Sequence, residues 1–234
     1  MNRQSRFKRF VAIRAGAVLL MAVAVAAISA PTASAAPFTL DFEGVGDFAN
    51  IQNYYNGGTD SQGNAGPNFG VEFNANTLAL NQFNPLANFA LPPSGDTIMF
   101  FLTGTAVMNY APGFDTGFSF FYTTVSFSGS ASVYDGLNAT GNLLGTIQLD
   151  ALGNGPVPGD PFSNWRIGNL AFNGVARSID FGGTVNQVGY DNITFGSIDP
   201  TGSAVDPVPE PASLTLFGLG LGGLVVLRHR RRHS

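Results

Sequence analysis

Between Phe38 and Phe195 the apolar residues recur at every second position, in short runs cut by turn pairs. No apolar pattern of helical period lasts beyond two turns. Side chains alternate between the two faces of a strand, so this pattern predicts strands with one buried face. The runs are Phe38 to Phe42, Phe69 to Phe73, Thr97 to Leu102, Thr105 to Tyr110, Thr116 to Tyr122, Ala131 to Tyr134, Leu143 to Leu149, Arg166 to Phe172, Ala176 to Phe181 and Gln187 to Phe195. Asp135-Gly136, Thr140-Gly141-Asn142, Asn173-Gly174 and Gly182-Gly183 supply the turns between them. About ten short strands so spaced predict an all-β fold, a two-sheet β-sandwich that is jelly-roll-like. Phe118, Phe120 and Tyr122 share one face of their run, while Phe121 lies on the other. That strand is expected to be covered on both sides.

Charge placement narrows the function. The chain has 234 residues and a net charge of -4. Five of the eleven cations lie between Arg3 and Arg14, and four lie between Arg228 and Arg232. Only Arg166 and Arg177 stand between these clusters, among all fifteen acids, so the interior carries -13. Such a body repels polyanions, which excludes nucleic-acid binding by phosphate neutralisation. There is no Cys, and both His, His229 and His233, are in the tail. Disulfides, thiolate sites, imidazole-bound zinc and a Ser-His-Asp triad are thereby excluded from the body. Carboxylate, hydroxyl, amide and aromatic chemistry remains.

The N-terminus has a basic stretch, an apolar run from Ala15 to Ala30 and the small-residue triplet Ala33-Ser34-Ala35. These parts make residues 1–35 a secretory signal peptide, cut by signal peptidase before Ala36. The alternative is an uncleaved anchor.

At the other end Ala212 to Leu227 is apolar and uncharged, then basic. As a helix at about 1.5 Å per residue it reaches roughly 24 Å. That falls short of the roughly 30 Å hydrocarbon core, a gap closed by snorkelling or bilayer thinning. The basic end stays cytoplasmic, so this transmembrane helix leaves the body exported. Pro209-Glu210-Pro211 precedes it. Each proline pushes its predecessor towards extended geometry, which holds Glu210 extended at the membrane surface. Pro-Glu-Pro, an apolar helix and an Arg-rich end together resemble the PEP-CTERM sorting signal. The resemblance covers residues 209–234. It implies a protein of a Gram-negative bacterium that makes extracellular polysaccharide, processed by the membrane enzyme exosortase. Gly218, Gly220 and Gly223 also spell a dinucleotide fingerprint, but no strand precedes it and no βαβ unit surrounds it. Gly218 and Gly222 form a weak helix-pairing match.

The domain organisation expected is therefore signal peptide 1–35, sandwich 36–198, linker 199–208 and sorting signal 209–234. Two long loops, from Ala49 to Asn68 and from Asn81 to Asp96, interrupt the sandwich. Leu40-Asp41-Phe42-Glu43-Gly44, Val133-Tyr134-Asp135-Gly136 and Gly189-Tyr190-Asp191-Asn192-Ile193 also resemble segments of the sandwich domains of PEP-CTERM proteins. A Phe-Glu-Gly first strand with a Tyr-Asp-Asn-Ile last strand resembles carbohydrate-binding jelly rolls. That resemblance implies a structural calcium held by Glu43 and Asp191, with Asp41 a lesser ligand. The alternative is that these are solvated strand-end acids.

Sugar binding needs exposed aromatic faces beside amides. Trp165 beside Asn164, and Tyr54-Tyr55 between Asn53 and Asn56, are the candidates. The alternative places Trp165 in the core or at its rim. No pair of acids is singled out for glycoside hydrolysis, so no enzyme is expected. The function expected is a structural or adhesive one at the cell surface or in the extracellular matrix. The alternative is a calcium-stabilised, lectin-like module that binds polysaccharide. Least favoured is a carbohydrate-active hydrolase.

Overall fold

The computed structural model describes residues 37–201, and none of these is helical. The signal-peptide, membrane-helix and sorting-motif readings, with most of the linker, lie outside the described residues. The strands are β1 (Phe38–Leu40), β2 (Val71–Phe73), β3 (Thr77–Asn81), β4 (Thr97–Phe101), β5 (Ala106–Phe114), β6 (Phe118–Thr124), β7 (Gly129–Tyr134), β8 (Leu143–Leu149), β9 (Arg166–Leu170), β10 (Ala176–Gly183) and β11 (Val188–Phe195). One sheet runs β3-β4-β11-β6-β9, with β1 added to β11; the other runs β2-β5-β10-β7-β8. The strand pairs of both sheets are antiparallel. The result is an all-β, two-sheet sandwich. From β4 to β7 and from β8 to β11 the chain passes from one sheet to the other at every step, a jelly-roll-like path.

Period-two alternation places the core. In β6, Phe118, Phe120 and Tyr122 are buried between the sheets, and Phe121 is half-buried on the outer side. Opposite them β10 supplies Ile179 and Phe181, both buried. Phe181 stands 6.0 Å from Phe118, 5.7 Å from Phe120 and 4.8 Å from Tyr190, measured between ring centres. These are tilted and edge-on pairs, which the ring quadrupole favours over face-to-face contact. A second group joins Phe38, Tyr110, Phe114 and Phe195, with Phe38 stacked on Phe195 at 4.5 Å. Of the 18 Phe within residues 37–201, eleven are buried in the core rather than offered as binding platforms.

Every residue of β4 is buried. Met99 and Phe101 join the main core, while Ile98 and Phe100 join a smaller one with Leu80, Phe89 and Phe162. The loop from residue 82 to 96 folds over the outer face of β3 and β4 to build this second core. Its backbone bridges Phe89 to Phe162. The loop that the sequence leaves open is therefore packed, and β3 is a strand that alternation alone does not pick out. Its Thr77-Leu78-Ala79-Leu80-Asn81 has one β-branched residue and no aromatic, so its strand preference is weak.

Replacing Phe181 by Ala empties the point where both sheets meet. We expect a loss of about 3–5 kcal/mol of stability, read as a lower urea midpoint with an unchanged denaturant slope.

Candidate functional site

The first and last strands meet as neighbours, with Leu40 opposite Ile193. In β11 the alternation places Val188 and Tyr190 in the core, then Ile193 and Phe195. The parity changes because the pairing of β11 with β6 shifts between Asp191 and Thr194. Asn192 sits in this bulge with φ 50°, a left-handed conformation that Asn tolerates. Asp191 is thus turned outward beneath the loop that contains Ser94. It is fully buried.

The Asp191 carboxylate is held by N–H and O–H donors. The backbone N–H of Ser94 donates to Oδ2 at 2.9 Å, that of Asn192 to Oδ1 at 2.7 Å, and the Ser94 hydroxyl reaches Oδ2 at 3.2 Å. Burial strips the carboxylate of water and pushes its pKa up to about 7, against these donors and helped by the nearby Asp41. Glu43 acts on the same loop. Its Oε1 accepts the backbone N–H of Asp96 and of Thr97, each at 2.8 Å. Gly95 lies between, at φ +46°, where a Cβ would stand 2.2 Å from the Glu43 carboxyl carbon. Two carboxylates, one from each end of the domain, thus clamp residues 94–97. Asp41 accepts the backbone N–H of Glu43 at 3.2 Å and faces solvent.

A calcium ion shared by Glu43 and Asp191 would have to compete with these donors for their oxygens. Calcium takes about six to eight oxygen ligands. Here Glu43 Oε1 and both Asp191 oxygens face hydrogen-bond donors. Among the described residues no three acidic side chains are placed to hold one metal ion.

The aromatic candidates part from the sequence expectation. Tyr54 and Tyr55 are 6% and 2% exposed, packed edge-on to each other with centres 5.0 Å apart. Tyr55 packs further on Phe42 and Phe73. Neither ring offers a face to solvent, because the loop from 44 to 66 wraps them against the sandwich. Trp165 is half-buried on the smaller core and donates its indole N–H to the Ala90 carbonyl at 3.0 Å. It sits at the rim of that core.

The residue that builds the wrapping loop is Asp60, which sequence reading passed over. It is 3% exposed and accepts the backbone N–H of Gly46, Gln62 and Asn64 and the side-chain amide of Asn64, at 2.8–3.0 Å. Burial pushes its pKa up, but these donors outweigh that and hold it below the usual carboxylate range. Asp60-Ser61-Gln62-Gly63-Asn64 is the local signal, an acid followed by a Gly-Asn turn.

The profile of the PEP-CTERM protein-sorting motif matches residues 207–232. The chain therefore carries that motif at its C-terminal end, on the Pro209-Glu210-Pro211 handle. No curated protein matches the sequence. Three solved structures share part of its strand arrangement. A Clostridium stercorarium family 6 carbohydrate-binding module in complex with cellobiose is 18% identical, with a TM-score of 0.34, over 52% of this chain and 93% of that one. A carbohydrate-binding module of Cellvibrio mixtus lichenase 5A in complex with cellotriose is 11% identical, with a TM-score of 0.32, over 53% and 88%. The adhesin domain of Lys-gingipain from Porphyromonas gingivalis is 15% identical, with a TM-score of 0.27, over 70% and 93%.

Two outcomes follow from the clamp. A carboxyl whose folded pKa is raised binds its proton more tightly in the folded state. Its stabilising contribution is complete below the unfolded value of 3.8 and is lost as pH rises through about 7. The melting temperature should therefore rise as pH falls from 8 to 5, and Asp191→Asn should flatten that slope. The same substitution lowers stability by about 1–3 kcal/mol, since an amide nitrogen cannot accept the N–H that the lost oxygen held.

Proposed function

We propose that this protein is an exported, exosortase-processed module with a structural or adhesive role at the cell surface. The setting is the polysaccharide-rich exterior of a Gram-negative bacterium, and the body is not an enzyme. The observation that carries this reading is the match of residues 207–232 to the PEP-CTERM sorting motif. Signal peptidase removes residues 1–35, and exosortase recognises Glu210 between its two prolines. The membrane helix and basic tail then serve to orient the chain until it is handed on.

The body suits that destination. It has no Cys whose oxidation state would matter after export. Its two sheets share one aromatic core, and its loops are anchored by Asp60, Glu43 and Asp191. Its excess of acids keeps copies apart in solution and away from anionic surfaces. Adhesion to such a matrix must then rest on neutral hydroxyls.

The intact mass of the protein from membrane and released fractions tests the reading. Wild type should lack both ends, whereas Glu210→Ala should accumulate in the membrane with its C-terminal residues attached. Normal processing of Glu210→Ala would overturn the assignment.

A further inference from the structure

The outer face of the second sheet carries a groove of about 360 Å³. This lies at the lower end of the roughly 300–1,000 Å³ of small-ligand sites. Strand register explains its chemistry. Glu72 of β2 stands opposite Asn109 of β5, which stands opposite Ser178 of β10. Opposed residues point to the same face, and the neighbours Val71, Phe73 and Met108 fill the core. Glu72 and Asn109 must therefore point outward.

A bulge raises one wall. Asn109 pairs with Ser178 and Phe114 pairs with Ala176, so β5 spends three more residues than β10 on the same interval. The excess, with Gly113 at φ +82°, lifts Ala111 and Pro112 out of the sheet. Bulges of this kind re-aim side chains at sites. The opposite wall is the turn between β7 and β8. Buried Ser178 pins it, donating to the Gly136 carbonyl at 2.5 Å and accepting from the Ala139 N–H at 2.9 Å. Asn138 and Ala139 both take left-handed φ, 57° and 56°. This presents Leu137 and Asn138 to the groove.

The polar groups are fixed by one another. Asn109 donates through Nδ2 to Asn138 Oδ1 at 2.8 Å and accepts the Asn138 backbone N–H at 2.7 Å. Asn56 donates through Nδ2 to Glu72 Oε1 at 2.8 Å. These bonds set which way each amide faces. Among the described residues, Glu72 Oε2 and Asn56 Oδ1 are left as acceptors and the Asn138 Nδ2 group as a donor. No cation lines the groove, and Pro112 and Leu137 supply apolar surface.

We infer that this groove binds a neutral sugar. A sugar hydroxyl both donates and accepts, and pre-oriented acceptors facing an amide donor satisfy both valences at little ordering cost. Pro112 and Leu137 take the C–H face of the ring. A cationic ligand would leave the Asn138 amide hydrogens facing like charge. An anionic one would meet Glu72 with no cation among the lining residues to offset it. The inference gives the adhesive reading its ligand class and rests on that reading only for its biological setting.

Saturation-transfer NMR on the full chain in detergent tests it, with glucose, galactose, mannose and rhamnose as neutral probes and glucuronate as the charged one. At least one neutral probe should saturate with a Kd on the order of 1 mM, and glucuronate should bind at least about 10-fold more weakly. Glu72→Gln keeps the bond from Asn56 but removes the open carboxylate oxygen. Asn138→Asp keeps the bond from Asn109 and the left-handed turn but replaces the open donor by an acceptor. Each should weaken binding by about 10-fold or more at unchanged melting temperature. No saturable binding by any neutral probe up to about 50 mM, or binding that both substitutions leave unchanged, overturns the inference. Either result leaves the sorting reading standing if Glu210→Ala still blocks processing. Conversely, normal processing of that variant overturns sorting and leaves the groove intact.

Discussion

The contact of Phe181 with Phe118, Phe120 and Tyr190 is the interaction on which the sandwich depends. It joins a central strand of one sheet to two central strands of the other. A chain without disulfides must hold its sheets together by burial alone, and aromatic rings bury the most area per residue. Phe118 continues the contact to Phe114 and Phe195, and Phe195 to Phe38. One continuous aromatic file therefore reaches from the middle of the domain to its first strand. With the sheets fixed by this file, the loops are free to be long. They need only local anchors, and each anchor is a carboxylate or a small second core.

Asp60, Glu43 and Asp191 do similar work at different cost. Asp60 is held in its charged form by four donors, so it anchors residues 44–66 at little electrostatic penalty. Asp191 is buried more completely and has fewer compensating donors, which is why its proton is retained to near neutrality. The bulge at Asn192 makes the outward turn of Asp191 compatible with the core. It lets Tyr190 and Ile193 face inward although they are three residues apart. It also turns the intervening acid towards the loop between β3 and β4.

The strand pattern of this chain is largely legible because its two-residue period survives on the core face of β6, through β7 and at the end of β8. The turn pairs between β7 and β8 and before β10 were equally clear. The pairing of first and last strands is a different matter, since neither period nor turn chemistry reveals which strands become neighbours. β3 escaped notice because Leu-Ala-Leu is as compatible with a loop or a helix as with a strand. Tyr54 and Tyr55 resemble surface rings in sequence because Asn and Gly flank them, whereas Trp165, beside Asn164, is open to both a surface and a rim reading. Their burial comes from loops that fold back over the sheets, which is a tertiary fact. The groove beside β5 depends on a bulge and on strand register, and neither leaves a mark in periodicity. Pro209, Glu210 and Pro211 are the opposite case, since a linear handle read by an enzyme is carried by order alone.

The distribution of cations has a last consequence. Within residues 37–201 the only basic residues are Arg166 and Arg177, and both lie in strands. Arg166 stands opposite Tyr122 of β6, and Arg177 lies between the paired positions Ala176 and Ser178 of β10. Proteases cleave most readily at exposed loop tips. Those that require Lys or Arg find no such bond in any loop of this domain. Its long, polar loops would be nicking sites in most secreted proteins. Here they are written in residues that trypsin-like enzymes do not read.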